Sequence, residues 1–184
     1  MFERSDETLV KQALKGKKSA WIRLVKRYEK NLYNYTYRMV SNSDDAMDLM
    51  QDIFMAVFRN LPSFRGDSPF KGWLFKIAHY RCIEYYRRKR PTQSLDDIPE
   101  QVDEGGDVCP EQQVFSGQQA DALQQAINGL SINQKLVVEM KFFQHCTFEE
   151  IAKQLGISTN TAKSRLYSAL DKLKGFLEVD YARQ

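Results

Sequence analysis

The sequence contains no apolar run of the roughly 18 residues that would suggest a membrane-spanning helix. Its first residues, MFERSDETLVKQ, also lack the basic and then apolar layout of a signal peptide. Only three cysteines occur, and they are too scattered for a disulfide framework: Cys82, Cys109 and Cys146. We therefore expect a cytoplasmic protein that does not insert into a membrane.

Groups that support catalysis or hold a cofactor are equally scarce. The chain has two histidines, no Gly-rich phosphate loop, and no Ser-His-Asp set or carboxylate pair in a catalytic arrangement. His79 with Cys82 and His145 with Cys146 are incomplete sets of zinc ligands, and they fall in different halves of the chain. The sequence therefore predicts neither an enzyme nor a protein with a metal or other cofactor.

Positive charge is concentrated at the start of the chain and negative charge in the middle. Residues 1–90 hold 19 Lys and Arg against 10 Asp and Glu. Residues 91–120 hold seven acids and no base, whereas residues 121–184 are nearly neutral. Residues 91–118 also contain three of the five prolines and a Gly-Gly pair, without helical periodicity. This last segment is predicted to be a flexible acidic linker.

Apolar residues at three- and four-residue spacing predict helices on both sides of that linker. Residues 1–90 indicate four helices, the third capped by Ser43 and the fourth running from about residue 70 to about residue 90. Residues 119–184 indicate one helix, a second from about residue 131 to residue 143, and a closing helix-turn-helix. Neither part has a convincing strand pattern. The fold class is therefore predicted to be all-α, with two small helical domains.

The helix-turn-helix is predicted within TFEEIAKQLGISTNTAKSRLYSALDKLK, residues 147–174. Thr147 and Glu150 have the spacing of a capping box for the first helix. Gly156 suits the turn, and Ser158 can cap the second helix. That second helix turns hydroxyl, amide and basic side chains outward, the groups that read base edges and bind phosphates in a major groove. Duplex DNA is favoured over the alternative, a helical hairpin with a solvated polar face.

Clustered bases and interleaved aromatic rings mark residues 64–90, FRGDSPFKGWLFKIAHYRCIEYYRRKR. Bases along a phosphate backbone and aromatic side chains that stack on bases are typical of surfaces for unpaired nucleic acid. The loop at residues 64–68 could also hold an extruded base. The alternative is that the aromatic residues are core and the bases form a solvated face. We favour the core for many of the apolar residues and nucleic acid for the bases.

An acidic polar side distinguishes the helix sequence DDAMDLMQDIFMAVFRN from the basic region around it. Asp44 and Asp45 are explained by the helix dipole, which favours acids in a first turn. Asp48 and Asp52 lie beyond that turn. Because an acidic surface repels phosphate, these two residues predict a protein partner with basic groups.

The chain resembles the extracytoplasmic-function (group IV) sigma factors of bacterial RNA polymerase, within the sigma-70 superfamily. Two stretches carry the resemblance, in this order and on either side of the acidic linker: DLMQDIFMAVFRNLPSFRGDSPFKGWLFKIA and FEEIAKQLGISTNTAKSRLYSALDKLK. The resemblance covers nearly the whole chain. It implies a sigma-2 domain at residues 1–90 and a sigma-4 helix-turn-helix domain at residues 119–184. The linker at residues 91–118 would thread through polymerase towards the RNA exit path.

The resemblance also assigns site residues in three groups. The DLMQDIF helix would grip the coiled coil of the polymerase β′ subunit through Asp48, Gln51, Asp52 and Phe54. The FRGDSPF loop and the helix after it would capture the melted non-template strand of the −10 element through Phe64, Arg65, Gly66, Asp67, Ser68, Lys76, Tyr80 and Arg81. The last helix would read the −35 element as duplex through Thr161, Lys163, Ser164, Arg165 and Tyr167.

The implied function is to direct core polymerase (β′ and β subunits) to specific promoters and to initiate transcription there, often in a stress response. Promoter DNA and an anti-sigma factor, which in this family is often membrane-bound, are the other implied partners. The alternative function is a helix-turn-helix transcriptional regulator with an N-terminal helical sensing domain. Such a regulator binds its operator tightly by itself, commonly as a dimer. A pure protein adaptor is disfavoured by the excess of bases in residues 71–90.

Three positions depart from the family's usual pattern. Tyr80 stands where many members have Asn, which removes the usual basis for predicting the base preference at −10, although a tyrosine ring can stack on a base. Ser168 stands where Arg is common in the recognition helix, so we expect one −35 contact to be missing. Lys17 and Lys18 stand where an acid is common, and we interpret this as surface variation.

Overall fold

The computed structural model describes residues 5–89 and 124–181. The predicted acidic linker and the predicted domain boundaries lie outside these ranges. Within them every regular element is helical, which confirms the predicted all-α class. None of the described helices is both long enough and apolar enough to cross a membrane.

In the described residues, eight α-helices, a 3-10 turn and a π-helical turn form two bundles. The first bundle consists of α1 (Asp6–Leu14), α2 (Lys18–Val40), α3 (Ser43–Asn60), a 3-10 turn (Leu61–Ser63) and α4 (Phe70–Lys89). The second bundle begins with α5, helical at 124–128, and continues with α6 (Ile132–Val138), which extends as a π-helical turn (Glu139–Phe143), α7 (Phe148–Leu155) and α8 (Thr159–Tyr181). The helix predicted for residues 131–143 is therefore α-helical only in its first half.

Side-chain caps begin several of these helices. Thr147 and Glu150 form the predicted capping box of α7, and Gly156 ends that helix in the left-handed region at φ +67°. The cap of α3 is Asn42 rather than the predicted Ser43. The Asn42 side-chain oxygen accepts from the backbone N–H groups of Asp44 and Asp45 at 2.9 and 3.0 Å, and Ser43 is already helical.

The core of the first bundle is apolar and closely packed. Leu24, Leu32, Ile53 and Leu74 are almost completely buried, and each contributes about 1.5–3 kcal/mol by leaving water. Asp6 holds α1 on this core, because its carboxylate accepts from Arg27 at 2.5 Å and from the Tyr28 hydroxyl.

The second bundle has its own core, built around the crossing of α7 and α8. Small side chains at the crossing, Ala152 and Ala162, are buried and allow the two helices to approach closely. Ile151 and Leu166 pack beside them, as the predicted inward face of a helix-turn-helix requires.

The two bundles also pack directly against each other, a contact that nothing in the sequence predicts. Leu136 of α6 is buried within the core of the first bundle. The Arg38 guanidinium donates to both carboxylate oxygens of Glu139, at 2.7 and 2.8 Å. Lys135 donates to the Met39 carbonyl oxygen at 3.3 Å. Lys135 and Glu139 are each only 3% exposed, so this interface encloses two charged groups with their partners.

The buried His79 makes stability depend on pH. Its Nδ1 lies 2.9 Å from the Tyr35 hydroxyl, and burial lowers the pKa of His79 to about 3. Because a histidine in the unfolded chain has a pKa near 6.5, the unfolded state binds the proton more tightly. Acidification from pH 6.5 towards 3 should therefore lower the free energy of unfolding, by up to about 1.4 kcal/mol per pH unit.

Denaturant unfolding at pH 7.5, 6 and 5 measures this dependence. His79→Gln is the control variant, since its side chain does not titrate. A pH dependence in the variant as steep as in the natural chain would assign the effect to other groups.

Candidate nucleic-acid interface

An aromatic cluster anchors the loop predicted to bind the −10 strand. The Phe64 ring packs edge-on against Phe70 with centroids 5.6 Å apart, and lies 5.2 Å from the ring of Trp73. Phe70 in turn contacts Tyr28 in the core. Phe64 is therefore half-buried, and much of its ring is occupied by protein contacts. Its position makes it an anchor for the loop that follows.

Beyond this anchor the loop is fully exposed. Arg65, Gly66, Asp67 and Ser68 all face solvent. Gly66 has φ +79°, a backbone conformation that favours glycine. A Cβ added there would have no neighbour within 4 Å, so the reason for glycine is the backbone and not lack of space. The loop thus presents a guanidinium, a carboxylate and a hydroxyl, which can donate to and accept from a base edge.

One side of α4 continues this surface. Lys76 and Tyr80 are exposed and four residues apart, so they are neighbours on the helix, and Tyr80 is 55% exposed. Trp73 and Arg87 share the same side at intervals of seven residues from Tyr80. The sequence left Trp73 open between a core residue and a stacking surface, and the structure shows its side chain half-buried. The spacing 73, 80 and 87 is the signal that could have assigned these residues to one face.

Arg81 points away from that side and towards α3. Its guanidinium lies 3.7 Å from the Asp52 carboxylate and donates to Glu84 at 2.9 Å. A residue predicted to bind DNA and one predicted to bind polymerase are therefore in contact. Both ion pairs are partly exposed and each stabilises the fold by less than about 1 kcal/mol. They orient Arg81 without withdrawing it from solvent.

The acidic side of α3 is open to a partner. Asp48 and Gln51 are exposed, and Asp52 and Phe54 are partly exposed. Asp45 is engaged within the protein, accepting from Tyr85 at 2.6 Å and from Lys89 at 2.8 Å. Partial burial raises the pKa of the Asp45 carboxyl, but these hydrogen bonds outweigh it, so the pKa is lowered overall.

Apolar side chains extend this acidic side, and sequence reasoning missed them. The Trp21 ring lies 6.4 Å from that of Phe54 and 5.1 Å from that of Phe58. Phe58, Met47 and Met55 are large apolar side chains left about half exposed. The spacing of apolar residues along α3 does not show which of them are buried in the core and which stay exposed.

The outer face of α8 presents the predicted groove-reading residues. Ser158 caps the helix, accepting from the Thr161 N–H at 3.0 Å. Lys163 and Ser164 are exposed, and Tyr167 is 60% exposed. Arg165 is only partly exposed and lies nearer the edge of this face.

Ser168 has a structural partner that explains its departure from the family pattern. Its Oγ accepts from the Gln134 amide at 3.0 Å, and the Gln134 side-chain oxygen accepts from Lys172 at 3.2 Å. This short chain of hydrogen bonds joins α8 to the start of α6. An arginine at position 168 would lose that connection.

Two family models match the chain. The model described as Sigma-70 region 2 matches residues 24–92, and the model described as Sigma-70, region 4 matches residues 120–173. The loop and α4 surface falls within the first match, and the helix-turn-helix falls within the second.

Known sigma factors are similar to this chain over most of its length and of their own. The chain is 32% identical over 152 residues to the RNA polymerase sigma factor YlaC of Bacillus subtilis (strain 168), covering 82% of this chain and 88% of that protein. It is 29% identical over 174 residues to the ECF RNA polymerase sigma factor SigW of the same organism, covering 90% and 92%. Among solved structures, the sigma factor RpoE in complex with the anti-sigma factor NepR from Bartonella quintana superposes with a TM-score of 0.69 at 25% identity, covering 86% of this chain and 96% of that one.

Proposed function

Because the chain belongs to the sigma-70 family, as an extracytoplasmic-function RNA polymerase sigma factor, we propose that it divides promoter recognition between two surfaces on its two bundles. The first surface is the exposed loop with the outer side of α4, and the second is the outer face of α8. The observation that carries this proposal is that each surface is accessible and that the two surfaces use different chemistry. Residues 1–90 act as the sigma-2 domain and residues 119–184 as the sigma-4 domain.

The first surface captures unpaired bases of the −10 element. Arg65, Asp67 and Ser68 bind the edge of an extruded base, while Tyr80 offers a ring for stacking. Lys76 lies beside Tyr80 and contacts the phosphate backbone. Opening the duplex costs a few kcal/mol per base step. The contacts that form only with the open strand offset that cost, so binding itself stabilises the melted state.

The second surface reads the −35 element without opening it. Thr161 and Ser164 contact base edges in the major groove, and Lys163 and Arg165 bind phosphates. Tyr167 adds an apolar contact to the DNA through its ring and a hydrogen-bonding group through its hydroxyl. The ring of Phe148 lies 5.7 Å from the Lys163 ammonium and helps to hold it at the edge of the face.

Polymerase binds the acidic side of α3, through Asp48, Gln51, Asp52 and Phe54. The neighbouring exposed side chains of Met47 and Phe58 widen that contact with apolar area. The chain acts in the cytoplasm, where an anti-sigma factor covers one or both surfaces until transcription is required. The protein recognises and binds; it is not an enzyme.

Dependence on polymerase separates this function from that of an ordinary helix-turn-helix regulator. We expect the isolated chain to bind duplex promoter fragments weakly and the polymerase complex to bind them tightly. Fluorescence anisotropy with a labelled promoter fragment, measured with and without core polymerase, provides the comparison. Tight duplex binding by the isolated chain, unchanged by polymerase, would instead favour the regulator.

A further inference from the structure

The corner between α1 and α2 is strongly basic and has no role in the functions described so far. Residues 11–30 contain eight Lys and Arg and a single acid, Glu29. Six of the bases are exposed and form no ion pair with any residue that the structure describes: Lys11, Lys15, Lys17, Lys18, Arg23 and Lys26. We call these six residues the basic corner. Elsewhere Arg38, Arg81 and Lys89 all have carboxylate partners.

Local chemistry at this corner works against helix stability. Lys17 occupies the N-cap of α2 and makes no capping hydrogen bond, and no acid follows in the first turn. A helix N-terminus favours Ser, Thr, Asp or Asn at the cap and acids after it, because its free N–H groups are partly positive. α1, α3 and α7 each follow that rule, with caps at Ser5, Asn42 and Thr147 and acids in the first turn. α4, α6 and α8 also have no acid in the first turn, but α2 has a lysine at its N-cap as well, without a capping hydrogen bond. Departures from such a local rule are expected at functional positions.

The corner is also held in one shape. Gly16 adopts φ +80° in the turn and donates to the Ala13 carbonyl oxygen at 2.9 Å. Lys17 donates from its backbone to the Gln12 carbonyl oxygen at 3.1 Å. Like charges four residues apart on a helix, such as Lys11 and Lys15, repel each other. A fixed concentration of positive charge without internal partners complements a polyanion.

The position of the corner indicates which polyanion. α1 packs against the 3-10 turn Leu61–Ser63, the turn that leads directly into the exposed loop at residues 64–68. α1 therefore connects the basic corner to the turn that carries this loop. A membrane surface fits less well, because the apolar side of α2 is buried in the core and only Leu14 and Ile22 are exposed near the bases.

We propose that the basic corner binds phosphates of the promoter strand that leaves the −10 loop, and so forms a third DNA contact of this chain. This proposal rests on the promoter-recognition function proposed above. Lys17 and Lys18 then have a function in place of the acid common in the family. The contact is independent of base sequence, so it adds affinity and salt dependence to the complex, not promoter choice.

The double variant Lys17→Asp with Lys18→Glu tests the proposal, because stability and DNA binding should change in opposite directions. The variant gains a helix cap and favourable charges, so its melting temperature should rise by a few degrees. Its polymerase complex should lose roughly tenfold or more in affinity for a promoter fragment. The slope of log K against log salt should become shallower by about 1.4–1.8, since each of the two lost phosphate contacts contributes about 0.7–0.9. The matched control, Lys17→Arg with Lys18→Arg, should keep the natural slope.

Other outcomes have distinct meanings. A raised melting temperature with an unchanged salt slope would reduce the corner to a solvated face and overturn the proposal. Binding of the natural chain to phosphatidylglycerol vesicles, together with an unchanged slope on DNA, would assign the corner to lipid and also overturn it. If the natural chain with core polymerase forms no promoter complex, promoter recognition itself fails, which this design detects before either variant is compared.

Discussion

Reversing the charge of Glu139 is expected to separate the two bundles without unfolding them. Glu139 is nearly buried and accepts both of its ionic hydrogen bonds from Arg38. Removing one partner of such a pair leaves an uncompensated charge, which costs about 3–5 kcal/mol. Glu139→Arg places two guanidinium groups together in that position. Separation relieves the repulsion and exposes Ile132 and Leu136, while the rest of each core stays within its own bundle and keeps that bundle folded.

Small-angle scattering measures this change. A compact chain of this length has a radius of gyration of about 16 Å, and the open variant should be clearly larger. The double swap Arg38→Glu with Glu139→Arg is the matched control, because it restores opposite charges and should restore the compact form. A single variant as compact as the natural chain would contradict the role of this ion pair, as would a swap that stays open.

The promoter recognition proposed above also requires this interface to open. Positions −35 and −10 differ by about 25 base pairs, or roughly 85 Å of helix axis at 3.4 Å per pair. A compact chain of this size cannot span that distance. Residues 90–123, fully extended at about 3.3–3.6 Å each, can bridge more than 100 Å. Under this proposal the polar and apolar contacts between the bundles separate when both elements are bound, so Glu139→Arg should not weaken promoter binding by the polymerase complex.

Tyr80→Ala is expected to impair promoter opening and to leave −35 binding intact. The Tyr80 ring is more than half exposed beside Lys76, on the surface that we propose stacks unpaired bases. Losing one stacked base costs about 1–3 kcal/mol, so the population of open complex should fall roughly 5- to 150-fold. Permanganate reactivity of unpaired thymines reports opening, and binding of the polymerase complex to a duplex −35 fragment reports the other step.

Two further variants make this comparison specific. Tyr80→Phe keeps the ring and should open promoters nearly as well as the natural chain. Tyr167→Ala changes an exposed tyrosine on α8 and should show the reverse pattern, with weaker −35 binding. If Tyr80→Ala lowered opening and −35 binding together, the division between the two surfaces would be wrong.

Local signals explain why much of this fold is predictable from sequence. Nearby residues determine where α7 starts, where it ends and where α8 starts. These residues are the capping box at Thr147, Gly156 and the Ser158 cap, and each lies within a few positions of the helix end that it forms. The same local chemistry misplaces one cap. Asn42 and Ser43 are both good capping residues, and only the backbone conformation decides that Asn42 takes the position.

Features that depend on distant residues were not predictable. Arg38 and Glu139 are 101 positions apart, and the residues next to them in sequence do not indicate that they form an ion pair. The π-helical turn after Val138 belongs to the same contact, since it contains Glu139 and also Phe143, whose ring lies 3.9 Å from the Arg38 guanidinium carbon. Trp73 shows the corresponding difficulty for the site. A large aromatic residue at helical spacing fits both a core and a stacking surface, and only the structure shows that Trp73 packs on Phe64 and Phe70 and stays partly exposed.

Run-off transcription tests most directly whether this chain gives polymerase promoter specificity through its two surfaces. Core polymerase would be incubated with a fragmented genomic library, with the natural chain, with the Tyr80→Ala or Tyr167→Ala variant, or alone. We predict new transcripts only when the natural chain is present, starting downstream of a shared pair of −35 and −10 sequences, and a marked loss of these transcripts with either variant. Absence of any new promoter-specific transcript with the natural chain would contradict the account.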